Sequence, residues 1–377
     1  MNNTQFDLSK NKLENYIKCF ECKGTIIKSS DQNYLCNFCK KEFENYNSIA
    51  DLRDIKMDNT RGFNIKKDLE IGKILLKIYD KVKTYNALIY IFDKLQKYEN
   101  PKFITDDKIE EIIISSLTFE LPMSSDQSIH GYDILKKVDL YKEEFHYDDY
   151  PKNTCLENGG GFGLFTEGFS KNFKNVIVID FSIAFLVLTK KLCEEKNLSN
   201  VFLVCANVEN LPLKDKSIDF IHSNNVIEHV THQNKMISEI SRILSNEGLL
   251  FLLSPNKNSA YYEPHFNIPF YGWVPFKIRY WLIYKLQNRD CRDVSLLNFK
   301  ELKNIFNKNF YGKSEITFLP SNLKKTAQQG YLRKIIIYFL NNKFLGSFFS
   351  YIINRTLIAI MPYHVIIARK NKPVNTE

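Results

Sequence analysis

The chain has 377 residues, 44% of them apolar and 25% charged, with a formal net charge of +9. That is enough for roughly two or three domains with a real core, and the composition is that of a globular chain and not a disordered one. The mild positive charge permits an anionic partner without requiring one; a solvated, lysine-rich surface is sufficient to account for it.

The N-terminus, MNNTQFDLSKNKLENY, has no apolar signal core. No stretch reaches the roughly 18 uninterrupted apolar residues that a membrane span needs. The nearest, residues 344–368, is broken by Asn354, Arg355 and Pro362. A cytoplasmic location is expected, and the eight cysteines suit a reducing compartment.

Four cysteines fall in two C-x2-C knuckles, Cys19/Cys22 and Cys36/Cys39, with thirteen residues between them. Each knuckle sets two thiolates on one tight turn, and two such turns complete a tetrahedral four-sulfur site that suits zinc. The stretch between them, with Gly24 and a polar SSDQN tip, reads as a β-hairpin. A structural zinc ribbon over residues 1–57 is expected. The plainer alternative is four ordinary buried cysteines. A catalytic zinc is disfavoured, because four cysteines leave no open coordination position.

Residues 58–147 read as a helical connector or lid. Apolar residues recur at helical spacing over 68–98, and TDDKIEEIIISSL (105–117) opens with a capping threonine. From Thr154 the texture alternates: TCLEN, NVIVID, VFLVCAN, SIDFIHSN and GLLFLLSPN read as strands, with helices between them. That spacing predicts an α/β domain, a parallel sheet with helices on both faces, over 148–372. The last elements expected are a helix at 296–310 and strands at 313–320 and 363–370.

Four glycines, Gly159, Gly160, Gly161 and Gly163, crowd into five residues between the first strand and its helix, in a chain with only 14 glycines. Glycine permits positive φ and close approach of a ligand to the backbone, and Asp180 ends the next strand, where an acid holds a ribose. The loop therefore reads as a cradle for a nucleoside-containing ligand.

The string Glu157-Asn158-Gly159-Gly160-Gly161-Phe162-Gly163 resembles the first motif of class I S-adenosylmethionine-dependent methyltransferases. The likeness extends over about 154–256, through ANVENLPLKDKSIDFIHSNNVIEHV and ISEISRILSNEGLLFLLSPN. It implies a Rossmann-like seven-stranded sheet and S-adenosylmethionine as cofactor. It places Glu157 near the methionine portion, Gly159, Gly161 and Gly163 along the ligand, Asp180 and Phe181 at the ribose end, and Asn207 and Val208 at the adenine. Asn207 departs from the usual aspartate but keeps an accepting carbonyl oxygen. Residues after the fourth strand usually face the methyl group, here Ser223, Asn224 and Asn225, with Glu228 and His229 following. Glu228 and His229 are candidates for a base or a divalent-metal pair; the alternative is that His229 packs at the sheet edge. The segment around Cys19–Cys39, with Ile49 to Arg53, resembles a small zinc-ribbon module fused to rRNA guanine methyltransferases and to other methyltransferases.

Cys155, Cys193 and Cys205 fall within elements, and packing is their expected role. An aromatic-basic insertion at 257–295 holds both tryptophans and is expected to build the acceptor pocket; capping a core is the alternative. The apolar insertion at 323–362 is expected to meet a membrane surface, a dimer partner or the core. Three functions fit: methyl transfer to a small-molecule, sugar or lipid-linked acceptor; methyl transfer to RNA, which the modest charge disfavours; and a non-catalytic methyltransferase-like binding subunit.

Overall fold

The computed structural model describes residues 12–54, 63–117, 150–259, 266, 268, 270–287, 291–292, 294–310, 315–320 and 363–369, with the backbone alone at 315–320. The expected apolar insertion at 323–362 lies outside the described residues.

The N-terminal region opens with hairpin strands β1 (Ile26–Lys28) and β2 (Tyr34–Cys36), followed by the short strands β3 (Glu42–Phe43), β4 (Asn45–Tyr46) and β5 (Ile49–Asp51). β1, β2 and β3 form a small antiparallel sheet, as the hairpin reading anticipated. Helices α1 (Ile65–Ile78), α2 (Tyr85–Gln96) and α3 (Asp106–Ser116) follow. The helical pattern of 68–98 thus divides between α1 and α2. The reason is local: Thr84 is extended and caps α2, its side chain accepting from the Ala87 amide at 3.2 Å.

The α/β region contributes β6 (Thr154–Asn158), α4 (Thr166–Ser170), β7 (Asn175–Asp180), α5 (Ile183–Glu195), β8 (Val201–Cys205), β9 (Ile218–Asn224), α6 (Gln233–Ile243), β10 (Leu244–Pro255), α7 (Phe276–Gln287), α8 (Phe299–Asn309), β11 (Glu315–Pro320) and β12 (Tyr363–Arg369). The sheet order is β11-β12-β10-β9-β6-β7-β8-β5-β4. β12 runs antiparallel to both β10 and β11, while β10, β9, β6, β7 and β8 run parallel. Seven of these strands form the expected sheet. The other two come from the N-terminal region: β5 pairs parallel to β8, with Ile49 opposite Leu203 and Asp51 opposite Cys205.

Strand alternation divides the core between the two faces. On β7, Val176 and Val178 pack toward α1, α2 and α5, while Ile177 and Ile179 pack toward α6, α8 and the ribbon. Ile17, Phe20, Ile26, Phe43 and Leu52 from the N-terminal region share that second cluster with Val204 and Leu213. The connection from β8 to β9, residues 206–217, contains no helix. A crossover between parallel strands usually brings a helix to cover the sheet; here the ribbon covers that face. Polar contacts fasten it: the Lys18 amide donates to the Pro212 carbonyl at 3.0 Å, and the Lys214 amide donates to the Tyr16 carbonyl at 2.8 Å.

Candidate functional site

The glycine loop follows β6 at the carboxyl edge of the sheet. Gly159, Gly161 and Gly163 have φ of 78°, 52° and 76°, a region that disfavours side chains. The amides of Gly159 and Gly160 both donate to the Ile179 carbonyl, at 2.8 and 3.0 Å, folding the loop over β7. A Cβ on Gly160 would lie 2.2 Å from Val178, whereas one on Gly161 would meet nothing within 4 Å. Gly161 therefore borders open space, and the space is a cleft of about 390 Å³, within the usual range for small-molecule sites.

Among the predicted residues, Gly159, Gly161, Asp180, Phe181, Asn207, Val208, Asn225 and His229 line this cleft. Asp180 is held firmly: one oxygen accepts from the Gly161 amide at 2.8 Å and the other from the Ser182 amide at 2.9 Å. Burial pushes its carboxyl above the usual range, against the pull of those amides. Asn207 is buried, and its side-chain oxygen accepts from the Glu209 amide at 2.8 Å. That bond uses one of the oxygen's two acceptor positions and orients the loop beside Val208. Asn225 stands at a positive φ of 55°, a conformation asparagine tolerates better than most residues.

The remaining predicted residues lie beneath or beside the cleft. Gly163 packs on α5, where a Cβ would come within 2.9 Å of Thr189. Ser223 is buried in β9, its hydroxyl accepting from the Asn158 amide group at 3.4 Å. Glu157 is buried below the loop, one oxygen accepting from the Thr166 hydroxyl at 2.6 Å, and burial lifts its carboxyl to about 8. Glu228 is also buried, and its backbone carbonyl accepts from the Ser295 amide at 2.7 Å. Asn224 closes β9.

Glu157 Oε1, Asn158 Oδ1, Asn224 Oδ1 and Asn225 Oδ1 are buried acceptors with no hydrogen-bond partner. All four sit at or just past the carboxyl ends of the neighbouring strands β6 and β9. Buried acceptors are rarely left unmatched, so this edge is prepared for a ligand that brings donors.

Sequence reasoning missed four of the apolar walls: Phe63, Phe185, Val226 and Val230. Phe63 stands edge-on to Phe181, with ring centroids 5.5 Å apart. No local pattern in the sequence announces it, since it comes from the connector, more than a hundred residues before its partner. The connector also steadies the glycine loop: the Tyr85 hydroxyl donates to the Phe162 carbonyl at 2.6 Å.

The four ribbon cysteines place their sulfur atoms within 4.8 Å of one another. The Gly24 amide approaches Cys22 Sγ at 3.4 Å, and a Cβ on Gly24 would come 2.8 Å from Phe38. Among the described residues this is the one group of three or more potential metal ligands. Cys155, Cys193 and Cys205 are buried, consistent with packing.

The strand order, the final antiparallel strand and the glycine loop facing an acid at the end of the second core strand are those of a class I S-adenosylmethionine-dependent methyltransferase. Residues 156–252 match the family model described as a methyltransferase domain, and the chain carries such a domain. An uncharacterized protein of Methanocaldococcus jannaschii is 40% identical over 36% of this chain and 54% of its own length. A malonyl-[acyl-carrier protein] O-methyltransferase of a Methylovorus species is 30% identical over 31% of this chain and 39% of its own length. The chain thus spans about half or less of these relatives. A solved structure of a Haemonchus contortus phosphoethanolamine N-methyltransferase, with S-adenosylhomocysteine, gives a TM-score of 0.41 at 15% identity, covering 63% of this chain and 53% of that one.

Proposed function

We propose that the protein transfers a methyl group from S-adenosylmethionine to a small or lipid-linked acceptor, and that its ribbon holds a structural zinc. The observation that carries the reading is the row of unmatched buried acceptors below a glycine-lined cleft. The donor would supply an electrophilic methyl on a sulfonium. Its ammonium and hydroxyl groups are the kind of donors that Glu157, Asn158 and Asp180 can receive. The aromatic and aliphatic walls from Phe63, Phe181, Phe185 and Val208 suit a purine.

Among the described lining residues, His229 and Asp180 are the titratable side chains. Asp180 is engaged by two amides, which leaves His229 to take a proton from an acceptor hydroxyl. The acceptor would enter beside the segment after β10. Within that segment the Trp273 indole donates to the Asn258 carbonyl at 3.1 Å, and the Lys257 amide donates to the Leu297 carbonyl at 3.1 Å. Its exposed aromatic and basic residues suit an amphipathic acceptor at a membrane surface. Among the described helices none is long and apolar enough to cross a membrane.

Calorimetric titration with S-adenosylmethionine and with S-adenosylhomocysteine tests the reading. Both are expected to bind at one site per chain. Binding of neither would end it.

A further inference from the structure

Arg53 of the N-terminal region reaches the turn that borders the donor cleft. β5 lies beside β8, and the Leu52 amide donates to the Cys205 carbonyl at 2.8 Å, which carries the chain to the carboxyl edge of the sheet. Arg53 then turns inward and is buried. Its guanidinium is gripped on one side by Asp51: Nε donates to Oδ1 at 2.9 Å and Nη2 to Oδ2 at 2.6 Å, a bidentate pair. On the other side Nη1 donates to the Phe181 carbonyl at 3.3 Å, and Asp68 of α1 stands 3.9 Å away. Asp68 completes the arrangement, accepting from the Ser182 hydroxyl and from the Ile183 amide at 2.9 Å, so that it caps α5.

These contacts converge on three consecutive residues, Phe181, Ser182 and Ile183, directly after Asp180. Asp180 and Phe181 line the cleft, and the Ser182 amide helps hold the Asp180 carboxylate. We infer that Arg53 is a positioning residue of the methyl-donor site, by which the N-terminal region sets the Asp180–Phe181 turn for binding. Arg53 does not reach the cleft itself. It acts through the Phe181 carbonyl and, with Asp68, through the start of α5. The N-terminal region is then part of the donor site and not only an appended recognition module. The bond to the Phe181 carbonyl is long at 3.3 Å, but it is desolvated and its donor is charged, so its loss should be visible in ligand affinity.

This inference rests on the proposed donor, so the wild-type protein is the first arm of the test. S-adenosylhomocysteine is titrated calorimetrically into wild type, Arg53→Ala, Arg53→Lys, Asp51→Ala and the Asp51→Ala/Arg53→Ala double variant, well below their unfolding midpoints, with zinc content checked in each. Wild type that fails to bind sinks the functional reading, whatever the variants do. If wild type binds, Arg53→Ala is expected to weaken binding about tenfold or more, the range of a lost charged hydrogen bond. Arg53→Lys keeps the charge beside Asp51 and Asp68 but loses the fork, and is expected to fold and to bind several-fold more weakly. The double variant is expected to bind no worse than Arg53→Ala, because the two side chains act as one unit. A purely structural role would lower the unfolding midpoint and leave affinity unchanged in the folded variants. That result, and in particular full affinity in Arg53→Lys, overturns the inference even if Arg53→Ala does not fold.

Discussion

The N-terminal ribbon and the segment around α7 are both additions to the parallel strands β6 to β10, yet they use apolar residues in opposite ways. The ribbon buries Ile17, Phe20, Ile26 and Phe43 in a cluster shared with the sheet, leaving Ile27 and Phe38 outside. The other segment buries Phe266, Tyr271 and Ile283 in a small cluster of its own, while Trp273, Phe276, Ile278, Trp281, Tyr284 and Leu286 stay exposed. Residues 270–287 contain no acid, and Lys277, Arg279 and Lys285 lie among the aromatics. Burial on the first side is architecture, replacing the helix that the β8–β9 connection lacks. Exposure on the second is what a recognition surface would present.

The sharpest way to break this contrast is to dismantle the ribbon. Cys36→Ser removes one of four ligands and should release zinc. The expected outcome is a large drop in the unfolding midpoint of the whole body, because the ribbon's apolar residues belong to the sheet's own core. Metal analysis and thermal denaturation measure it. An appended ribbon would melt alone and leave the main transition in place.

Next in size is His229→Ala, which leaves both regions intact. It is expected to lower turnover about 10²- to 10⁴-fold, the usual worth of a general base, with S-adenosylhomocysteine affinity preserved. Release of S-adenosylhomocysteine in the presence of an accepted substrate measures it. Equal loss of affinity would make His229 a wall of the donor site and nothing more.

The glycine loop allows a finer division between architecture and recognition. Gly160→Ala would place a methyl 2.2 Å from Val178 and should cost stability, whereas Gly161→Ala faces open space at a φ of 52°. The second should lose about 1–2 kcal/mol from its left-handed backbone and should weaken donor binding more than stability. Urea unfolding beside calorimetry separates them. If Gly161→Ala binds normally, the cleft is not where the donor lies.

Much of this was legible in the sequence. Buried strands announce themselves as apolar runs, and paired cysteines by their spacing, because both signals are local. Gly159, Gly161, Asp180, Asn207 and His229, which line the cleft, were picked out from equally local signals. Phe63, Arg53 and Asp68 were not. Their roles depend on pairings between residues more than a hundred positions apart, such as β5 against β8, and nothing local records such a register. Ser223 and Glu228 stand near the same strand end but are buried, Ser223 in β9 beside Asn158.

Glu157 joins stability to binding through pH. Its folded value of about 8 lies above the free value of 4.5, so this group favours the folded state fully below pH 4.5 and that contribution is lost as pH rises through 8. Glu157→Gln should flatten this decline, as read from urea midpoints at about pH 6 and about pH 9. A cationic group of the donor nearby favours the carboxylate, so wild type should release protons on binding near neutrality. Calorimetry in buffers of different ionisation enthalpy detects the release, and Glu157→Gln should abolish it.

The smallest effect on stability, and the most direct probe of the exposed side, is expected from Trp281→Ser. Trp281 is 57% exposed, and a surface change of this kind usually stays within about 0.5 kcal/mol. The chain has only two tryptophans, Trp273 and Trp281, so intrinsic fluorescence reports on this one segment. Phosphatidylglycerol vesicles should shift the emission to the blue as the rings leave water, phosphatidylcholine vesicles should do so less, and salt should weaken the response because Lys277 and Lys285 supply the attraction. Trp281→Ser should lose most of the shift while keeping S-adenosylhomocysteine affinity. An emission maximum that ignores both lipids but moves with protein concentration would instead assign the aromatic face to a second copy of the chain, and the acceptor would then be sought among water-soluble molecules.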